Sequence, residues 1–423
     1  MASPATPVVT KQDHGGVSAR FAWATVALLW VAYLLNYLDR QVVFSIFPVL
    51  RSELGFSNTQ LGLVGTLFLW VYSLCMLLTG RLADVVRRER LVIMSLVLWS
   101  LATLGTALSA SAGVFLFWRS VMGVTESLYV PAALTTIAVL HPGATRSKAL
   151  AVHSTAQFSG IVAGGWYGGW AADHIGWRPG FMALAGAGVI YACVLWSVFR
   201  RVPKTTAVAT KLTAKPGDIF KSNCFLALSL AFFMFCSMLW MLYAWFPSFI
   251  YERYHLSLTA SGLTATVYLQ TSCMVGVLAG GVLADWLVKR VRSGRFLIAV
   301  AGLAGSAPFG FLSLAAGSLA IAKLSAAAFG FFAGVFVANT FAAAFDVVSR
   351  KNYGLTTGVL NLTGGLAGGA AMLAAGLWKA SVGMEVMMKW QAIVSAACAV
   401  LLLVVVANQF ASEHQRTLAA EAP

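Results

Sequence analysis

Apolar residues are concentrated in twelve long runs along the chain, and short polar turns separate one run from the next. The runs, in chain order, are about 21–48, 58–79, 91–110, 113–140, 149–172, 179–199, 223–250, 259–285, 295–315, 317–345, 353–378 and 385–408. Because a helix needs roughly 20 mostly apolar residues to cross a bilayer, each run predicts one transmembrane helix. The pattern therefore predicts an all-α membrane protein of twelve transmembrane helices, six on each side of a basic stretch.

Polar stretches divide the chain into five predicted parts. These are an N-terminal tail (1–20), a six-helix bundle (21–199), a linker (200–221), a second six-helix bundle (222–408) and a C-terminal tail (409–423). Of the 423 residues, 59% are hydrophobic and only 10% are charged. Soluble domains carry roughly a quarter charged residues, so this composition excludes a water-soluble globular protein.

The net charge of +15 has a topological explanation. If the N-terminus lies inside, 21 of the 29 Lys and Arg residues fall on inner segments. Cytoplasmic loops of membrane proteins carry such an excess, so nucleic acid is not needed as a partner. We therefore expect a multi-pass protein of the cell (inner) membrane with both termini in the cytoplasm.

A short motif occurs once in each half of the chain. Residues 80–84 read Gly-Arg-Leu-Ala-Asp after the second run, and residues 281–285 read Gly-Val-Leu-Ala-Asp after the eighth. Two copies at matching places indicate a duplicated transporter architecture. From about Phe21 to Asn408 the chain resembles the major facilitator superfamily, and both copies resemble its motif between helices 2–3 and 8–9. The resemblance implies the fold of that superfamily, in which the twelve helices form two pseudo-symmetric bundles of six.

This resemblance implies gating contacts by the motif residues Gly80, Asp84 and Arg88 in the first half and Gly281 and Asp285 in the second. A helix-capping role for Asp84 is the alternative.

Glycines at four-residue spacing predict close helix contacts. They occur at Gly160, Gly164 and Gly168 in the fifth run and at Gly276 and Gly280 in the eighth. In the superfamily that the chain resembles, spans 5 and 8 meet between the halves, so we expect these glycines to form a moving packing surface there.

Four residues that are charged at neutral pH lie inside runs of the first half: Asp39 and Arg40 in the first run, and Arg119 and Glu126 in the fourth. Charges within a bilayer are costly unless they are paired or hydrated, which makes these four candidates for function. Two acids and two bases sum to zero charge, so they can be buried together. A structural salt-bridge cluster and a proton site both remain open.

In the proton-site reading, an anionic substrate takes the arginine partner of a carboxylate. Desolvation favours the protonated carboxyl and a nearby arginine favours the ionised form, so the carboxylate would bind a proton when its partner leaves. Proton binding and anion binding would then be coupled.

The residues around these charges resemble the anion:cation symporter family, which includes sugar-acid and organic-anion transporters. The resemblance rests on Asn-Tyr-Leu-Asp-Arg at 36–40 and on Arg-x3-Gly-x2-Glu at 119–126. Spinster-type lipid transporters share both features and remain the alternative. Within the symporter family, the resemblance implies that Asp39 and Glu126 are protonated during transport.

The same resemblance implies roles for the remaining site residues. Arg40 would link protonation to the substrate, and Arg119 would hold Glu126 or help to bind the anion. The residues that match substrate-contacting positions of the family are Tyr72, Gln157 and Asn361.

The second half has no matching charges, so we expect polar and stacking contacts from it, with Tyr243 among the substrate-binding residues. We also expect Pro247 to break the seventh helix. His153 in the fifth run is either a hydrogen-bonded packing residue or a proton carrier.

The sequence carries no nucleotide-binding P-loop and no zinc-site signature, so we expect neither an enzyme nor a cofactor or metal. The predicted function is proton-coupled symport of a small organic anion, such as a sugar acid or another carboxylate, by alternating access. The alternative is spinster-like transport of a lipid or amphiphile. The expected partners are the anion, protons and the bilayer, with the monomer as the functional unit.

Overall fold

The structure is a computed structural model that describes residues 18–141, 145–200 and 216–421. The backbone alone is described for residues 81, 83–85, 216, 420 and 421. The α-helices of the described residues are α1 (Ala19–Val42), α2 (Phe47–Leu54), α3 (Asn58–Val85), α4 (Arg88–Ala107), α5 (Ala112–Ser127), α6 (Tyr129–Leu140), α7 (Arg146–His174), α8 (Trp177–Phe199), α9 (Asn223–Tyr254), α10 (Leu258–Val288), α11 (Gly294–Ala315), α12 (Leu319–Asp346), α13 (Tyr353–Trp378) and α14 (Met384–Glu421).

These helices make twelve crossings, as predicted, with α1 and α2 joined by a 3-10 turn in the first and α5 and α6 stacked in the fourth. Eleven crossings of the described chain are long and apolar enough to span a membrane by composition alone. The remaining crossing is α7, which is 29 residues long but contains polar residues and many glycines. We call α1–α8 the first half and α9–α14 the second half.

Serine residues fix where several helices begin. The side chains of Ser57, Ser111, Ser222, Ser257 and Ser318 each accept a hydrogen bond from a backbone N–H in the first turn of the helix that follows. Such caps satisfy N–H groups that have no partner within the helix. The polar turns between apolar runs therefore set the helix ends as well as the loops.

The predicted break at Pro247 is wrong, because α9 continues unbroken through this residue. Proline has no N–H, so it leaves the carbonyl four residues earlier, that of Tyr243, without its helical partner. The side-chain amide of Gln41 in α1 donates a hydrogen bond of 3.1 Å to that carbonyl. A side chain from the other half thus replaces the missing bond, and α9 is continuous through Pro247.

The glycines predicted to join the halves pack within a half instead. A Cβ at Gly160 or Gly164 would lie 2.6 Å from the carbonyl oxygens of Leu34 or Leu38, both in α1 of the same half. The contact of α7 with α10 is made by the neighbouring face of α7, where a Cβ on Gly165 would lie 2.6 Å from the Thr266 hydroxyl. Gly276 and Gly280 of α10 pack in turn against α12.

The contact between α3 and α13, which joins the halves, is tighter at one end of the molecule than at the other. We call the end at which α1 begins and α14 ends the terminal face. Away from that face, the Thr66 hydroxyl of α3 donates to the Gly369 carbonyl of α13 at 2.7 Å. Near it, a Cβ on Gly358 of α13 would come only within 3.8 Å of Leu77 of α3. The contact between α3 and α13 is therefore looser near the terminal face.

The last helix extends beyond the predicted end of the bundle, because α14 continues through the polar residues 409–421. The Glu413 carboxylate accepts hydrogen bonds from the Ser222 hydroxyl at 2.6 Å and from the Asn223 N–H at 2.9 Å. These contacts cap the first turn of α9 and hold the extension against the bundle. The predicted N-terminal tail up to residue 17, the linker residues 201–215 and the last two residues lie outside the described residues.

Candidate functional site

A cavity of about 310 Å³ lies between the two halves. Five of the predicted substrate-binding residues line it: Arg40, Tyr72, Gln157, Tyr243 and Asn361. The sixth, Arg119, does not reach the cavity and is completely buried. The structure therefore collects residues from α1, α3, α7, α9 and α13 around one space, although they are far apart in the sequence.

The four predicted charges come together beside this cavity, and all four residues are at least 95% buried. Arg40 and Glu126 form the ion pair of the cluster, with Nε of Arg40 2.6 Å from Oε2 of Glu126. Nη2 of Arg40 and Oε1 of Glu126 have no hydrogen-bond partner among the described residues. Arg40 thus binds the Glu126 carboxylate on one side and lines the cavity on the other.

The end of α5 positions Glu126. The helix stops at Ser127, four residues before Pro131, which cannot donate to the Ser127 carbonyl. The hydroxyl of Thr79 in α3 donates to that carbonyl at 2.9 Å. This local break places Glu126 in the last turn of α5, where its carboxylate meets the guanidinium of α1.

Aromatic rings surround the guanidinium of Arg40. Its Cζ atom lies 4.7 Å from the ring centre of Tyr37, 5.0 Å from that of Phe68 and 4.3 Å from that of Tyr72. A cation over an aromatic face is attracted by the ring, and more strongly where water is excluded. The rings therefore stabilise the positive charge without neutralising it, which leaves Arg40 able to bind an anion.

Arg119 and Asp39 are neighbours but do not form an ion pair. Nη1 of Arg119 lies 3.0 Å from the Met122 sulfur and 3.5 Å from the backbone carbonyl of Asp39. Nε and Nη2 of Arg119 and Oδ1 of Asp39 have no hydrogen-bond partner among the described residues. The buried carboxylate of Asp39 is therefore only partly satisfied.

The expected contact between Arg119 and Glu126 is not present, and Arg40 holds Glu126 instead. Seven residues on one helix place two side chains on the same face but about 10 Å apart along the axis. The arginine of the neighbouring helix α1 reaches the carboxylate directly. Spacing along the sequence identified the charged residues but not which of them pair.

His153 belongs to an aromatic stack at the edge of the cavity. Its ring centre lies 4.6 Å from that of Tyr33, which lines the cavity. The Tyr129 hydroxyl lies 3.2 Å from Nε2 of His153 and donates its proton to the Leu29 carbonyl at 2.6 Å. Tyr129 can then only accept from the histidine, so Nε2 carries the proton. This geometry fits the packing role that the sequence left open; a proton-carrying role stays a prediction.

The second half contributes mainly rings to the cavity. Trp240 and Tyr243 of α9 line it together with Asn361 of α13. The buried Asn339 of α12 does not, because its amide donates to the carbonyls of Gly280 and Val335 and joins α12 to α10. Sequence reasoning also missed five aromatic lining residues, which are Tyr33, Tyr37, Phe232, Phe235 and Phe341. The four-residue spacing of the two tyrosines in α1, ahead of Arg40, was the signal that could have found them.

The motif residues make few contacts in this structure. A Cβ on Gly80 or Gly281 would meet no atom within 4 Å. Asp285 is exposed and forms no ion pair with a described residue, and Nε of the half-buried Arg88 has no partner among them. The side chain of Asp84 lies outside the described residues. The gating contacts implied by the motif therefore stay a prediction.

The chain is similar to known transporters. It is 24% identical over 378 residues to the D-galactonate transporter of Escherichia coli, an alignment that covers 82% of this chain and 87% of that protein. It is 28% identical over 325 residues to protein spinster homolog 1 of Homo sapiens, covering 71% of this chain and 61% of that protein.

A solved structure shows the same fold. The crystal structure of a bacterial homolog of the human lysosomal transporter Spinster, in an inward-facing and unoccupied conformation, superposes with a TM-score of 0.74 and 20% identity. The superposition covers 95% of this chain and 98% of that one. The sequence profile of the Major Facilitator Superfamily matches residues 29–324, about two thirds of the chain. The chain therefore belongs to the Major Facilitator Superfamily and is a multi-pass membrane transporter, not an enzyme.

Proposed function

We propose that the protein is a proton-coupled symporter that carries a small organic anion, a carboxylate, by alternating access. The observation that supports this most directly is the position of Arg40, which lines the cavity while its Nε holds the buried carboxylate of Glu126. One cation is thus shared between an acid of the protein and any anion in the cavity. The similarity to a D-galactonate transporter also favours a carboxylate substrate.

Coupling follows from competition for this arginine. A substrate carboxylate that binds the free side of Arg40 weakens the attraction of the guanidinium for Glu126. Because Glu126 is completely buried, an ionised carboxylate without its partner is costly there, and protonation removes that cost. Anion binding and proton binding at Glu126 therefore favour each other.

Asp39 provides a second proton site in this mechanism. Its carboxylate is 95% buried, and its nearest cation, Arg119, contacts the backbone carbonyl of Asp39 rather than the carboxylate. If both acids carry a proton inward with a monoanion, one net positive charge crosses. Such a charge gains about 2.3 kcal/mol per 100 mV of membrane potential.

The orientation of the chain is part of the proposal. The excess of basic residues on the segments at the terminal face supports an orientation in which that face lies on the cytoplasmic side of the cell (inner) membrane. Because the contact of α3 with α13 loosens toward it, the cavity in this structure would be accessible from the cytoplasm, where substrate and protons are released. A cysteine introduced at Ser412, in the extension of α14, tests this orientation. An impermeant thiol reagent should label this cysteine only in opened cells.

The test of coupling uses purified protein in proteoliposomes with an imposed pH gradient. Glu126→Gln should abolish pH-driven accumulation of the carboxylate, while exchange of labelled for unlabelled substrate across the membrane persists. Glu53→Gln is the matched control, since this acid lies away from the cavity and bonds to the indole of Trp177. Normal accumulation by Glu126→Gln would reject the proton role.

One observation favours the second candidate, a spinster-like transporter of lipids or amphiphiles. A second hollow of about 450 Å³ lies between α7 and α10, lined largely by apolar side chains such as Phe158, Trp166 and Met274. An amphiphile could place its chain there. A lysolipid that raises the melting temperature (Tm) of the purified protein, where carboxylates do not, would support this candidate over the first.

A further inference from the structure

We infer that the substrate is a monocarboxylate with an aromatic or compact apolar body, rather than a polyhydroxylated or dianionic acid. The inference rests on the proposed function, in which Arg40 binds the carboxylate. The inference concerns the part of the substrate other than its carboxylate, and it follows from the residues that line the cavity.

The cavity offers one positive charge. Arg40 is the only charged residue among the described residues that line it, and Nε of that arginine is already bonded to Glu126. The next cation, Arg119, is fully buried outside the cavity and directed at a backbone carbonyl. A second carboxylate on the substrate would therefore find no cation and would have to be desolvated without compensation.

Aromatic rings form the wall opposite Arg40. Phe232, Phe235, Trp240 and Tyr243 project from successive turns of α9, and Phe341 joins them from α12. The ring centres of Trp240 and Tyr243 lie 5.4 Å apart in an edge-to-face arrangement, and those of Phe232 and Phe341 lie 6.0 Å apart. Such a surface recognises a flat apolar body by stacking and by removal of apolar area from water.

Hydrogen-bonding groups are few on the same wall. The second half supplies only the Asn361 amide, the Tyr243 hydroxyl and the Trp240 indole N–H. The other hydrogen-bonding groups belong to the first half, which carries Arg40, and they are Tyr33, Tyr37, Tyr72, Ser73 and Gln157. A sugar acid carries several hydroxyl groups, and each one that is buried without a partner keeps the full cost of its desolvation. The wall formed by the second half therefore favours an apolar substrate body over a polyhydroxylated one.

Glycines of α13 make room for these rings. A Cβ on Gly364 would lie 2.8 Å from Cε1 of Phe232, and a Cβ on Gly368 would collide with the indole of Trp240. The rings of α9 can occupy the cavity wall only because α13 presents hydrogen atoms instead of side chains at these positions. Two helices thus form the aromatic wall together: α9 supplies these rings, and the glycines of α13 leave space for them.

The test is equilibrium binding to the purified full chain. The probes are benzoate, phenylacetate and indole-3-acetate as aromatic monocarboxylates, D-galactonate and D-glucuronate as polyhydroxylated acids, and phthalate as a dianion. At least one aromatic monocarboxylate should bind at least tenfold more tightly than D-galactonate and phthalate. Trp240→Leu should weaken that binding at least tenfold, and Trp390→Leu, which alters an exposed tryptophan of α14, should not change it.

The inference is overturned if D-galactonate or phthalate binds as tightly as the best aromatic acid, or if none of the aromatic acids binds. Its failure can be told apart from failure of the proposed function. Tight binding of an aromatic acid without pH-driven accumulation keeps this inference and rejects proton coupling. Preferential accumulation of D-galactonate under a pH gradient keeps coupling and rejects this inference.

Discussion

The bond between Gln41 and the Tyr243 carbonyl gives the sharpest prediction about how the two halves hold together. Gln41 is 98% buried, and it supplies the hydrogen bond that Pro247 cannot give to α9. Gln41→Leu keeps the size of the side chain but leaves this buried carbonyl without a donor. An unsatisfied buried polar group costs about 1–3 kcal/mol, whereas single side-chain hydrogen bonds inside membranes average about 0.6 kcal/mol. We expect a loss of about 1–2 kcal/mol of unfolding free energy.

A second substitution separates this bond from packing. Pro247→Ala restores an N–H that can reach the Tyr243 carbonyl within α9, so the carbonyl no longer needs Gln41. In the Pro247→Ala background, Gln41→Leu should cost less than about 0.5 kcal/mol, because the coupling belongs to the pair. The measurement is unfolding of the purified protein in mixed micelles, followed by far-ultraviolet circular dichroism. Equal losses in both backgrounds would refute the reasoning.

Two further substitutions test the packing of α7 and of α14. Gly165→Val should prevent the contact of α7 with α10, because the Cβ of the new side chain would lie 2.7 Å from the Gly262 carbonyl oxygen. Cross-linking between cysteines placed on either side of this contact should therefore fall. Gly186→Val, where no atom lies within 4 Å of the added Cβ, is the control and should leave cross-linking unchanged. Glu413→Ala should lower the unfolding free energy by about 1–3 kcal/mol, because three donors lose their acceptor; an unchanged Tm would contradict the capping role.

The sequence was sufficient for the parts of the fold that depend on composition and spacing. Long apolar runs predicted the twelve crossings, and the cost of charge in a bilayer singled out the four residues that the structure brings together. These predictions succeed because each depends on a property that one helix carries by itself.

The parts that failed depend on which neighbour a helix face meets. The spacing of Gly160 and Gly164 predicted a close contact but not its partner, and the partner is α1 while the adjacent Gly165 faces α10. Likewise, a proline at position 247 predicted a break, and only the fold reveals that Gln41 replaces the lost bond. The sequence predicted stacking contacts from the second half but not which rings make them, since many rings occur in α9 and the sequence does not say which of them face the cavity.

The measurement that tests the central claim most directly is the exchange of protons when the substrate binds. In weakly buffered detergent solution near neutral pH, a carboxylate that competes for Arg40 should cause the wild-type protein to take up protons from the solvent. Glu126→Gln should bind the same ligand with little or no proton uptake. If the wild-type protein binds the anion without taking up protons, or if the variant takes up as many, Arg40 does not couple the anion to Glu126.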